Sequence, residues 1–141
     1  MRQQTARLWL EIACETTAAV GVGMALLALP GAMGATDWLS ALVFGEPGAG
    51  AATPLVRLLA AISGGVLTGW AVTLRVVVRR LHDRDPALVR AILLPGLLVW
   101  FLVDSAGSLI SGGGINVIGN LGFLILFGVP LVAEEQREGD L

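Results

Sequence analysis

The stretch "LEIACETTAAVGVGMALLALP", residues 10–30, is apolar along almost its whole length, yet it carries two carboxylates, Glu11 and Glu15, one helical turn apart. A bilayer core about 30 Å thick is crossed by roughly 20 mainly apolar residues in an α-helix, and the run over 8–29 has that length. A charged side chain facing lipid near the bilayer centre costs about 2.5 kcal/mol or more. The two glutamates therefore require partners elsewhere in the chain.

Three further runs of spanning length follow, over 54–77, 87–110 and 115–132. With 55% hydrophobic residues, 14% charged residues and a mean hydropathy of +0.81, the 141-residue chain lies outside the composition of soluble globular domains. The pattern predicts an all-α membrane protein, a single four-transmembrane-helix antiparallel bundle with a charged, frayed tail over 133–141. The lone cysteine, Cys14, lies within the first run, which excludes an internal disulfide framework and leaves a buried thiol.

The net charge of −2 conceals an uneven placement of the nine basic residues, all arginine. Arg2 and Arg7 precede the first run, Arg75, Arg79, Arg80, Arg84 and Arg90 surround the second connection, and Arg137 lies in the tail. Only Arg57 falls towards the opposite side. The positive-inside rule then puts both termini and the second connection in the cytoplasm. A rival reading takes Arg2, Arg7, the first apolar run and "GAMGA" as a cleaved secretory signal, but the two glutamates and the length of the run argue against it.

In the first connection, "TDWLSALVFG" offers Thr36 or Asp37 as an N-cap and places Trp38, Leu39, Leu42 and Val43 at near-helical spacing. This predicts a short interfacial helix in the first outer loop, with Trp38 at headgroup level. "GEPGAGAATP" reads as a flexible linker. "HDRDP" reads as a compact turn in which Asp85 caps the next helix and Pro86 takes its first position, with His82 solvated. So short a connection predicts that the second and third helices pack as a hairpin. "SGGG" predicts a tight turn before the fourth helix, Pro95 a bend in the third, and the glycines at Gly21, Gly23, Gly64, Gly65, Gly69, Gly119 and Gly122 close helix contact, with Gly65 and Gly69 at the favoured four-residue spacing.

At 100° per residue, Glu11 and Glu15 share a face of the first helix, and Arg57 and Arg75 share a stripe of the second. Trp100, Asp104, Ser108 and Ser111 lie on one face of the third, and Asn116 and Asn120 on one face of the fourth. Depth divides these residues into an outer cluster of Arg57, Asp104, Asn116 and Asn120 and an inner cluster of Glu11, Glu15 and Arg75. In both, each arginine is expected to neutralise an acid inside the bundle. The plainer alternatives are that Glu11, Arg57 and Arg75 snorkel to the interface and that the asparagines join helices. Trp70 points away from the arginine stripe and reads as a lipid or packing residue, whereas Trp100 shares the Asp104 face and can line a pocket.

No phosphate loop, paired histidines, CxxC, HExxH or nucleophile elbow is present, so no catalytic residue, metal ligand or cofactor is assigned. The arginine cluster is accounted for by topology and gives no reason to expect nucleic acid. In length, four spans, inward termini and small-residue-rich helices, the chain resembles the DoxX-like group of small bacterial four-helix membrane proteins, a likeness of layout that no motif carries. That resemblance, with the lysine-free, alanine- and glycine-rich composition, implies a bacterial inner-membrane location.

Three functional classes remain open. In the preferred one, the protein binds or transports a small molecule or ion through a polar cavity between the helices, with Glu15 or Asp104 taking part in proton or cation coupling. The second is a non-catalytic accessory subunit of a membrane complex. The third, an enzyme on a lipid-like substrate, lacks a recognisable nucleophile and base. The expected partners are membrane lipid, a hydrophobic or amphiphilic small ligand, and a second copy or larger complex, because four helices enclose only a narrow site.

Overall fold

The computed structural model describes residues 2–46, 48 and 53–133. Among these the chain forms five α-helices and no strands: α1 (Gln3–Leu26), α2 (Met33–Phe44), α3 (Pro54–Leu81), α4 (Pro86–Ile110) and α5 (Ile115–Ala133). Four of them, α1, α3, α4 and α5, are long and apolar enough to cross a membrane. The tail beyond residue 133 and half of the 45–54 linker lie outside the described residues.

Local chemistry sets the boundaries. The Thr53 hydroxyl accepts from the Val56 amide at 3.2 Å and Pro54 opens α3, while Asp85 Oδ1 accepts from the Leu88 amide at 2.8 Å and Pro86 opens α4. Both are N-caps followed by a proline whose missing N–H costs nothing there. Gly45 and Gly112, at φ 78° and 82°, supply the left-handed turns that end α2 and lead out of α4. α4 continues unbroken through Pro95.

Two boundaries differ from the hydropathy reading. α1 begins at Gln3 rather than at residue 8 and stops at Leu26, and α3 runs on to Leu81 instead of ending at 77. In both cases polar residues extend the helix, because they find partners across the α1–α3 seam: the Gln3 amide donates to the His82 carbonyl at 3.1 Å. α2 likewise starts three residues before Thr36, after a single 3-10 turn at Pro30–Ala32, so neither Thr36 nor Asp37 is its N-cap. Thr36 instead turns its hydroxyl back onto the Ala32 carbonyl. Trp38 projects outward and is 66% exposed. The far end of α2 rests on the α4–α5 turn, where a Cβ added at Gly113 would lie 3.2 Å from Val43.

Helix pairing follows small residues rather than loop length. α1 and α3 make the most extensive contact, α4 packs on α5 and α5 on α1, while α3 and α4 touch sparsely. The expected hairpin of the second and third spans is therefore splayed, although "HDRDP" is a tight turn. At the α1–α3 crossing, a Cβ added at Gly21 would lie 2.5 Å from Thr68 Oγ1 and 2.8 Å from the Gly64 carbonyl, and one added at Gly64 would overlap the backbone of Gly21 and Ala25. The two backbones thus meet through Gly21, Ala25, Gly64 and Thr68, a small-residue seam. Gly65 and Gly69 face open space instead.

The bundle is closed at one end and open at the other. Leu10, Ala13 and Cys14 of α1, Leu74 and Val78 of α3, Val89, Leu93 and Leu97 of α4, and Phe127 and Leu131 of α5 form a continuous buried cluster at the end near the termini. Cys14 is a free, buried thiol. His82 belongs to this closed end and is 0% exposed, not solvated as its loop setting suggested.

Candidate functional site

Where α3 and α4 part, a groove of about 710 Å³ opens in the other half of the bundle. All four long helices line it: Val20 and Met24 from α1, Ser63, Val66 and Trp70 from α3, Gly96, Trp100 and Asp104 from α4, and Asn116, Gly119, Asn120 and Phe123 from α5. Its floor is aromatic. The rings of Trp70 and Trp100 lie 6.3 Å apart, those of Trp70 and Phe127 6.4 Å, and Phe123 meets Trp100 edge to face at 6.1 Å. Aromatic pairs favour such separations, so the floor is a packed and ordered surface.

One turn beyond Trp100 on α4 stands Asp104. Its Oδ2 accepts from Asn116 Nδ2 at 3.1 Å and from Asn120 Nδ2 at 2.5 Å. The same two amide nitrogens also donate to Ser108 Oγ at 2.9 Å and Ser105 Oγ at 3.2 Å, respectively. This network joins the last turns of α4 to the first turns of α5, and "SGGG" is the turn that brings them together. Asn120 is 5% exposed, so a buried carboxamide and a partly buried carboxylate stabilise each other, as buried polar groups must.

The outer cluster read from the sequence thus forms in part. Asp104, Asn116 and Asn120 come together, Ser108 stands behind them, and Trp100 lines the same groove. Arg57 does not join them, and no ion pair links it to any described residue. The shared stripe with Arg75 was real, but it runs along a different side of α3 from Ser63, Val66 and Trp70. The carboxylate is held by uncharged amide donors instead of a guanidinium. Among the lining residues that the sequence reading did not assign are Trp70 and Phe123, which form the floor. A signal existed in Ser63, Val66 and Trp70, which recur at helical spacing on one side of α3.

The inner cluster divides into two pairings, both on the outside of the α1–α3 seam. Glu11 accepts from Arg7 at 2.9 Å and lies 3.6 Å from Arg79, and Arg7 also bonds Asp83, making a chain of alternating charge at the closed end. Glu15 pairs with Arg75 at 2.7 Å, with the two side chains 58% and 39% exposed. None of these groups lines the groove. The expected Glu15–Arg75 pairing forms, but the charges do not turn into the groove: Glu15 and Arg75 stay well exposed beside the α1–α3 contact, and Glu11 is held by Arg7 and Arg79. A second depression of about 440 Å³ lies over Gln3, Arg7, Glu11 and Asp83, but its charged groups are already spent on one another. Among the described residues, no group of three His, Cys, Asp or Glu side chains gathers as a metal ion would require.

No family model, curated protein or solved structure matches the chain. The likeness to DoxX-like proteins therefore stays one of layout.

Proposed function

We propose that this is a multi-pass protein of the bacterial inner membrane, with both termini cytoplasmic, that binds or transports a small amphiphilic molecule in the groove between α3 and α4. The groove is the observation that carries the reading. Its walls come from all four spans, its floor is aromatic, and among the described residues its only charged lining group is a carboxylate held at one end, the pattern of a small-molecule site: mostly apolar with a few convergent polar groups.

The membrane setting rests on exposure. In α3, only 11% of the most apolar 18-residue window is buried inside the protein, and leucines, valines and isoleucines face outward along every span. Water does not tolerate an apolar surface of that extent on a monomer. The arginines of the closed end supply the orientation. In this setting the groove opens sideways into the hydrocarbon, which gives an amphiphile a route in without crossing a protein wall.

Gly119 provides the test. It lines the groove and a Cβ there meets nothing within 4 Å, so a side chain added there, as in Gly119→Leu, starts from open space. With protein in phosphatidylcholine nanodiscs, radiolabelled decanol should bind saturably above empty nanodiscs, and Gly119→Leu should weaken that binding about tenfold or more, the effect of losing roughly two buried methylenes of contact. Saturable binding that Gly119→Leu leaves untouched would refute the groove as the site.

A further inference from the structure

The polar end of the groove has an unusual inventory of hydrogen-bonding atoms. A carboxylate can only accept, so both carboxamides must turn their NH2 groups towards Asp104. Each NH2 has two protons, and all four are used: Asn116 gives to Asp104 and Ser108, Asn120 to Asp104 and Ser105. What remains unbonded among the described residues is Asp104 Oδ1 and the two amide oxygens. Ser105 and Ser108 stand behind the lining, and no cationic side chain among the described residues lines the groove. A ligand head arriving here meets acceptors and one uncompensated negative charge.

From this we infer that the ligand carries a protonated amine: an alkyl or aryl ammonium whose N–H groups bond Asp104 Oδ1 and the neighbouring amide oxygens, while its apolar part lies on Trp70, Trp100 and Phe123. An ammonium offers several donors and no acceptor, which matches the set left over. In a low-dielectric groove the opposite charge on Asp104 weighs far more than it would in water, and Trp100, one turn away in the same lining, is the ring type that most favours cations. A carboxylate or phosphate head meets the same oxygens as a repulsion. The inference deepens the proposed function and rests on it, since it assigns the charge of what the groove takes.

The experiment compares decylammonium, decanol and decanoate, equal in chain length and differing in head charge, by saturable binding to the protein in phosphatidylcholine nanodiscs. Decylammonium should bind roughly tenfold to a hundredfold tighter than decanol, the range of one charge-assisted hydrogen bond, with decanoate weakest. Asp104→Asn should abolish the preference for decylammonium over decanol within the same variant, with an unfolding midpoint in nanodiscs reporting that the variant is folded, and Asp104→Glu should keep the preference. Decanoate binding as tightly as decylammonium overturns the assignment, and the wild-type ranking decides this without any variant. A folded Asp104→Asn protein that still prefers decylammonium over decanol overturns it equally. Failure of the two readings is distinguishable: saturable decanol binding with no preference among heads removes the charge assignment alone, whereas absence of saturable binding by all three removes the groove as a site.

Discussion

Asp104 and Glu15 are both acids in apolar helices, and they meet the problem of burial differently. Asp104 is held by amide donors from a neighbouring helix, which leaves its charge in place and one oxygen open. Glu15 is held by the Arg75 guanidinium at the edge of the α1–α3 seam. Since Gln3 lies opposite His82 and Gly21 opposite Gly64, Glu15 stands near the middle of α1 and level with Trp70. Arg75 reaches towards it from lower on α3. Replacing Glu15 with Gln leaves a half-exposed guanidinium in hydrocarbon without a counter-charge, at an expected cost of roughly 2 kcal/mol or more. That loss should appear as a lowered unfolding midpoint in nanodiscs with decanol binding intact, because neither residue touches the groove. An unchanged midpoint would show that the pair snorkels freely to the headgroups.

The elements show which parts of the design the sequence discloses. Gly64 sits against α1, and Gly64→Ala should cost about 1–3 kcal/mol, as overpacking does. Gly65, its neighbour, faces open space, and Gly65→Ala should be neutral or up to about 1 kcal/mol stabilising through helix propensity. Equal midpoints for the two alanine variants would mean that the α1–α3 seam is not as close as described. The four long helices were legible because hydropathy registers length and composition, and the Asp104, Asn116 and Asn120 grouping was legible because facing angles and a short turn fix it. The choice of Gly64 over Gly65, the splaying of α3 from α4, and the burial of His82 were not. Each depends on which neighbour a helix face meets, and a face angle taken from one helix says nothing about its neighbours. The same limit placed Arg57 with Asp104 and left Trp70 as a packing residue.

At the scale of the whole molecule, one half of the bundle is sealed by its apolar core and an ion-pair chain, and the other half is held apart. A tight α1–α3 seam on one side and the α4–α5 pair on the other leave α3 and α4 facing each other across a gap. Small residues at Gly96 and Gly119 keep that gap wide, and the tryptophans give it a floor. The same sparse contact that leaves the expected hairpin unformed is what provides room for a ligand, so the fold and the site have one physical origin. The most direct test is photo-crosslinking with a diazirine-bearing decylammonium in phosphatidylcholine nanodiscs, with the adducts mapped by mass spectrometry. Adducts concentrated on Trp70, Trp100 and Phe123, and displaced by excess decylammonium, are the result expected here. Adducts spread evenly over outward-facing Leu58, Leu102 and Ile118, with no displacement, would contradict it.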